Sequence, residues 1–94
     1  MNEKEELITQ ITKHTLMMTN VFSCLKLMMK EKGFKDLYDL AKAYYEDSKH
    51  FFKEKKFVQS FEALIISWAY IDSGLKLGVF LLQDEKLKEY FTND

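Results

Sequence analysis

The sequence predicts an all-α domain, an up-down-up three-helix bundle with a short C-terminal fourth helix. Proline is absent and only three glycines interrupt the 94 residues. Apolar residues recur at spacings of three and four, as in an amphipathic helix, and no window alternates with the period of two expected of a strand. The apolar fraction of 47% favours a folded core over disorder. At this length we expect residues 1–94 to form a single domain.

The first predicted helix extends from about residue 3 to residue 32. Asn2 followed by Glu5 resembles a capping box, and Gly33 suits the position just beyond a helix end. One stripe of this helix would face the other helices. Its members are Leu7, Ile11, His14, Met18, Val21, Leu25 and Met28.

The same periodicity predicts the remaining helices. Asp36 is positioned to cap a second helix, the polar residues 53–56 form a turn, and Asp84 is positioned to cap a short last helix. Because the loops between the long helices are short, neighbouring long helices should run antiparallel. The predicted inner stripes are Leu37, Ala41, Tyr44, Ser48 and Phe51 in the second helix, and Phe57, Phe61, Leu64, Trp68, Ile71 and Leu75 in the third.

Composition argues against several classes of function. The net charge is −1 and all 14 basic residues are lysine, so neither a basic field nor an arginine fork is available for nucleic acid. Cys24 is the single cysteine, which excludes an intrachain disulfide. The apolar run 63–82 has the length of a membrane span but contains Asp72 and Lys76, which disfavours insertion. The charged start has no hydrophobic signal region, so we expect a cytoplasmic protein without nucleic-acid or membrane partners.

No catalytic, metal or cofactor motif is recognisable in the sequence. His14 and His50 lie in different helices without the spacing of a metal site, and Cys24 has the character of a small hydrophobic residue. General acid–base catalysis needs at least two converging polar groups, whereas the inner stripes offer one, Asp72. We therefore expect a protein that is not an enzyme and that carries no cofactor.

The segment from Tyr44 to Gly78, YYEDSKHFFKEKKFVQSFEALIISWAYIDSGLKLG, resembles the small helical proteins grouped as domain of unknown function 357. The match is densest around Phe61-Glu62 and Asp72-x-Gly-Leu, whereas Lys55-Lys56 stands where that family has Gly-Asp. The resemblance implies a small three-helix bundle and a cytoplasmic, archaeal source. It implies no active site.

Asp72 is the one charged residue that falls near an inner stripe. A carboxylate there must be paired, hydrated or protonated. One interpretation is an aspartate at the edge of the core that is paired with Lys76 or hydrogen-bonded by Tyr44. The other is a buried polar or ligand site formed by Asp72, Lys76, Tyr44 and Trp68.

Two helices carry long segments without any charge, residues 14–25 in the first and 63–71 in the third. Charged residues would be expected on faces that meet water, so these segments indicate an interface, and a homodimer is the commonest way to cover one. A monomer whose first helix is surrounded by the other helices remains the alternative. The candidate interface residues are Leu16, Asn20, Leu27, Ile66, Tyr70 and Leu77.

Small residues also share one side of the third helix, at Ser60, Ala63, Ser67, Gly74 and Gly78. Small side chains allow a neighbouring backbone to come close. We expect the first helix, or a helix of a partner, to cross there.

Two functional hypotheses follow. The first is a non-enzymatic interaction or adaptor protein that self-associates through the first and third helices and binds an unidentified protein partner. The second is a regulator that binds a small molecule or nucleotide around Asp72, Tyr44 and Trp68. A flat apolar surface would favour the first hypothesis, and a cavity beside Asp72 would favour the second.

Overall fold

The computed structural model describes residues 2–91 as a mostly helical chain with four helices and one pair of short antiparallel strands. The helical prediction is confirmed, whereas the expectation that the chain has no strands is wrong. The elements are α1 (Glu3–Cys24), β1 (Leu25–Leu27), α2 (Lys32–Lys53), α3 (Phe57–Lys76), β2 (Phe80–Leu82) and the 3₁₀-helix η1 (Glu85–Tyr90).

Helix α1 begins as predicted and ends eight residues early, at Cys24 instead of residue 32. At its start the Glu5 backbone N–H donates to Asn2 Oδ1 at 2.8 Å, and the Asn2 side-chain amide donates to Glu5 Oε1 at 3.2 Å. At its end the chain becomes extended at Leu25 and forms β1. A pairing with residues far along the chain thus overrides the local helical period, which is a weak determinant on its own.

The strand pair joins the end of α1 to the segment after α3. Leu25 lies opposite Leu82 and Leu27 opposite Phe80, and the Met28 N–H donates to the Val79 carbonyl at 2.8 Å. Phe80 and Leu82 are buried while Leu81 between them is exposed. Three residues are too few for this alternation to be recognised in the sequence.

Helix α2 starts before the residue predicted to cap it. Asp36 lies inside the helix, where its carboxylate accepts a hydrogen bond from Lys32 Nζ at 2.9 Å. This hydrogen bond and the charge of Asp36 raise the pKa of Lys32. Gly33, expected beyond the end of α1, lies in the first turn of α2. The predicted cap of the last helix is confirmed, because the Lys86 N–H donates to Asp84 Oδ1 at 3.0 Å.

Both α2 and α3 end in the same backbone motif. After α3 the Val79 N–H donates to the Gly74 carbonyl at 2.9 Å, with Gly78 at φ +74°. After α2 the Lys56 N–H donates to the Phe51 carbonyl at 2.9 Å, with Lys55 at φ +61°. This arrangement is the Schellman motif, which favours glycine at the left-handed position. Lysine therefore occupies the position where the family pattern has glycine.

Replacing Lys55 by glycine should raise the free energy of unfolding by about 0.5–1 kcal/mol. Glycine removes the steric cost of the left-handed conformation, about 1–2 kcal/mol. Part of this gain is lost, because glycine also gives the unfolded chain more conformational entropy. Urea unfolding followed by circular dichroism measures the change. The matched control is Lys53→Gly, which lies within α2 and should be destabilising; equal effects of the two substitutions would contradict the assignment.

Serine side chains hold α2 and α3 together. Ser48 Oγ donates to the Ser60 carbonyl at 2.7 Å, Ser60 Oγ donates to the Ser48 carbonyl at 2.8 Å, and Ser67 Oγ donates to the Ala41 carbonyl at 2.6 Å. These serines are fully buried. A helix therefore packs closely against the small-residue side of α3, as predicted. That helix is α2. The expectation of α1 or a partner helix was wrong because it overlooked Ala41 and Ser48, the small residues that face this side from α2.

Helix α1 packs across one face of the pair formed by α2 and α3. Thr19 Oγ1 is hydrogen-bonded to Tyr45 Oη on α2, and Lys4 Nζ lies 5.8 Å from the centre of the Phe57 ring at the start of α3. The core between these elements contains Ile11, Met18, Val21, Leu64, Ile71 and Val79. Within residues 2–91, none of the helices combines the length and apolar character needed to span a bilayer.

Candidate functional site

Asp72 lies on α3 at the edge of the core. Lys76 Nζ donates to Asp72 Oδ2 at 3.0 Å, so the predicted pair one helical turn apart is present. The Asp72 side chain is 18% exposed, and its Oδ1 is buried without a hydrogen-bond partner in the described part of the chain. Such an atom normally has a donor, either from the protein or from an ordered water. Asp72 is therefore only half satisfied by Lys76.

A surface hollow of about 280 Å³ lies beside Asp72. Its polar lining consists of Asp72, Lys76 and Lys88, and the apolar remainder comes from α3, β2 and Phe91 just after η1. Phe91 forms part of this wall and stacks on Trp68 with the ring centres 5.5 Å apart. Trp68 is thus connected to the hollow, although it is not part of the lining.

Tyr44 does not take part in this site. Its ring stacks on Tyr70, with the ring centres 5.9 Å apart. The sequence could not show this, because it does not reveal which flank of α2 faces which flank of α3. Of the four predicted polar-site residues, Asp72 and Lys76 line the hollow, Trp68 contacts it only through Phe91, and Tyr44 lies elsewhere.

The outer side of α1 exposes an uncharged ridge. Leu16 is 65% exposed, and Asn20 one turn further is exposed too. A hollow of about 300 Å³ beside them also includes Met17, Tyr90 and, at its edge, the charged Lys13. Leu27 is absent from this ridge because it belongs to β1, where it is partly buried against the core. Its assignment to the first helix was wrong because α1 ends at Cys24 and Leu27 pairs with Phe80 in the strand ladder.

A second, mostly apolar surface lies on the outer side of α2 and α3, with the exposed Asp47 between Tyr44 and Phe51 along α2. On α2, Tyr45 contacts α1 through Thr19, and Tyr44 lies on the other flank. On α3, Leu64 lines a groove with α1, and Tyr70 lies on the other flank. We call this surface the hairpin face, and it is formed by Leu40, Tyr44, Phe51, Ile66, Tyr70 and Leu77.

The hairpin face contains residues of α2 that were not predicted to lie on an exposed surface. Leu40 is 45% exposed, and Phe51 is half-buried. Leu40 was not predicted on any surface, whereas Tyr44 and Phe51 were predicted in the inner stripe of the second helix. Their place on the outer side corrects that prediction. Of the six predicted interface residues, three lie on the hairpin face, two on the α1 ridge and one in β1. They do not form one continuous surface.

The histidines and the cysteine are not assembled into a site. His50 Nε2 lies 3.3 Å from the carboxylate of Glu54, the residue just after α2, and His14 lines the groove between α1 and α3. Cys24 Sγ donates to the Val21 carbonyl at 3.6 Å. Across residues 2–91, no three histidine, cysteine or acidic side chains are grouped closely enough to hold a metal ion.

Fold and surfaces together define a small, mostly helical protein with exposed apolar side chains on two faces and a mixed polar hollow beside Asp72. A family model described as a protein of unknown function (DUF357) matches residues 8–80, and the chain therefore belongs to this family. The resemblance seen in residues 44–78 is confirmed and extends through most of α1. No curated protein and no solved structure shows a significant match to the chain.

Proposed function

We propose that this protein is a non-enzymatic, cytoplasmic interaction module that self-associates and serves as an adaptor for a protein partner. In this proposal the three long helices form an up-down-up bundle, and the uncharged sides of α1 and α3 provide the contact surfaces. The observation that carries it is the exposure of large apolar side chains in these two regions, most of all Leu77 at 70% and Leu16 at 65%.

The physical argument rests on how these side chains are grouped. Single exposed leucines are normal on a protein surface, but contiguous apolar patches usually mark an interaction site. On the hairpin face, Leu40 and Ile66 flank the Tyr44–Tyr70 stack. Tyrosine and large aliphatic side chains grouped in this way are typical of the centre of an interface.

The molar mass in solution tests self-association directly. Size-exclusion chromatography with light scattering, at micromolar concentration, should give about twice the chain mass of 11.2 kDa. The mass should fall towards that of one chain on dilution, since association depends on concentration. A mass of one chain at every concentration would refute self-association.

The hollow beside Asp72 favours a second candidate function, a regulator that binds a small molecule. Asp72 Oδ1 would accept a hydrogen bond from a ligand donor that reaches it, while the ammonium groups of Lys76 and Lys88 suit an acidic group. A volume of about 280 Å³ is at the low end for a ligand pocket. AMP, ATP and a fragment library added to isotope-labelled protein test this hypothesis by NMR. Shifts confined to this hollow and lost in Asp72→Asn would support it, and no shifts with any probe would exclude those ligands.

A further inference from the structure

An open groove of about 380 Å³ lies between α1 and α2. Its α1 wall consists of Ile11, Leu16 and three threonines, and its α2 wall consists of Phe52 and two lysines. The volume falls in the range of binding sites in proteins, about 300–1,000 Å³. The groove is therefore a concave surface that carries charge on its α2 wall and none on its α1 wall.

The α1 wall is suited to an apolar occupant. The hydroxyl groups of Thr12 and Thr19 already donate to backbone carbonyls of α1, at 2.9 Å in each case. An occupant of the groove does not have to satisfy these donors. At the rim of the same wall, Leu16 is 65% exposed and provides a large apolar side chain for contact.

The α2 wall continues as a row of three lysines on the side that faces α1. Lys49 and Lys53 line the groove, and Lys42 Nζ lies 5.4 Å from the centre of the Phe22 ring on α1. At the helical rise of about 1.5 Å per residue, the row extends about 16 Å from Lys42 to Lys53. The positive charge therefore follows the groove over about three turns of helix.

Acidic groups balance this row only weakly. No carboxylate lines the groove. Glu46 lies 3.6 Å from Lys49 Nζ, but both side chains are well exposed, and such a pair contributes little. Among residues 2–91, no carboxylate forms an ion pair with Lys42 or Lys53. The charge of the groove thus favours an occupant with a row of anionic groups along one edge.

We propose that the groove between α1 and α2 binds an amphipathic acidic helix of a partner protein. The apolar stripe of that helix would contact the α1 wall, and its carboxylates would contact Lys42, Lys49 and Lys53. This inference rests on the proposed function, because it defines the class of partner that the adaptor binds. Binding of one helix in an apolar groove is a common mode of peptide recognition.

The row of lysines distinguishes this partner from other anionic ligands. A fatty acid has one carboxylate and would use only one of the three lysines. A nucleic acid would place its phosphates and bases against an α1 wall that offers no positive charge. In a helix, by contrast, carboxylates at positions i, i+7 and i+11 reproduce the spacing of Lys42, Lys49 and Lys53.

A pair of designed peptides tests the proposal by fluorescence anisotropy. The probe is a labelled helical peptide of about 18 residues, or five turns, with leucines on one stripe and glutamates along one edge. It should bind at least about 10-fold more tightly than the same peptide with lysines in place of the glutamates, because like charges would then face each other. Equal affinities of the two peptides would overturn the proposal.

Matched double substitutions in the protein test the location. Lys49→Glu with Lys53→Glu should weaken binding of the acidic peptide at least about 10-fold. The control is Lys30→Glu with Lys86→Glu, which changes the net charge equally at exposed positions outside the groove. It should change the affinity less than about 3-fold. Circular dichroism establishes that the helices are intact, and equal losses in the two double variants would overturn the groove as the site.

Chemical shift mapping on the unsubstituted protein does not depend on a variant folding. Addition of the acidic peptide should shift the amide signals of Thr15, Leu16 and Phe52. Shifts confined to the hairpin face would overturn the groove. Tighter binding of decanoate or of oligothymidylate than of the acidic peptide would replace the helix by that ligand and overturn the proposal.

Failure of the groove is distinguishable from failure of self-association. No saturable binding of the acidic peptide to a chain that light scattering shows to be dimeric would overturn the groove and retain self-association. Binding of the peptide to a chain that stays monomeric would retain the groove and overturn self-association.

Discussion

Gly74→Leu should lower the free energy of unfolding by about 3 kcal/mol or more and leave much of the chain unfolded at 37 °C. Gly74 is buried on α3, and a Cβ at this position would overlap the ring of Phe80. That ring cannot move aside easily, because Phe80 is paired with Leu27 in the strand ladder and its ring packs edge-on against Tyr38. A leucine must therefore displace β2 or bend α3.

Gly33 provides a matched control for this substitution. It is also a helical glycine, but nothing lies within 4 Å of the Cβ that a substitution would add. Gly33→Leu should leave the stability unchanged or raise it by up to about 1 kcal/mol, since leucine is the better helix former. Thermal unfolding followed by circular dichroism compares the two variants. Equal melting temperatures would show that the contact between Gly74 and Phe80 does not limit the fold.

Ser60→Leu should destabilise the protein by about 2–4 kcal/mol. The substitution removes the hydrogen bond from Ser60 Oγ to the Ser48 carbonyl and inserts a branched side chain where α2 and α3 are in contact. Ser60→Ala should cost only about 1 kcal/mol, because it removes the hydrogen bond and leaves the spacing of the helices unchanged. Urea unfolding separates the two contributions.

The exposed Ser23 on α1 is the control for the serine substitution. Its hydroxyl donates only within its own helix, to the Asn20 carbonyl. Ser23→Leu should therefore change the free energy of unfolding by less than about 0.5 kcal/mol. If Ser60→Leu were as mild as Ser23→Leu, the close approach of α2 and α3 at Ser60 would be wrong.

The sequence predicted those features that depend on neighbouring residues. Helical periodicity located the four helices, and the side chains of Asn2 and Asp84 identified two helix starts. The prediction that Asp36 caps α2 was wrong, because an aspartate before an apolar stripe is equally typical of the capping position and of the first turns of a helix. Lys55 was recognised as a departure from the family's turn, but only the backbone angle showed that it retains the turn at a steric cost.

Features that depend on distant residues could not be predicted in the same way. The early end of α1 is caused by the pairing of Leu25 with Leu82, and no local pattern contains that information. The separation of Tyr44 from Asp72 depends on the rotation of α2 relative to α3, which is set by the serine contacts. The pair Asp72–Lys76 was predicted because both residues lie on one helix.

The strand pair also has a consequence for the order of folding. Pairing Leu25 with Leu82 closes a loop that contains all of α2 and α3, and closing a long loop costs more entropy than forming the local contacts of a helical hairpin. The α2–α3 hairpin should therefore form first, and α1 should be fixed only when the chain after α3 returns to meet it. In pulsed hydrogen exchange, the amides of Met28 and Gln83 should gain protection after those of α2 and α3. Helix α1 and the segment of residues 79–83 would then become ordered in one late, shared step.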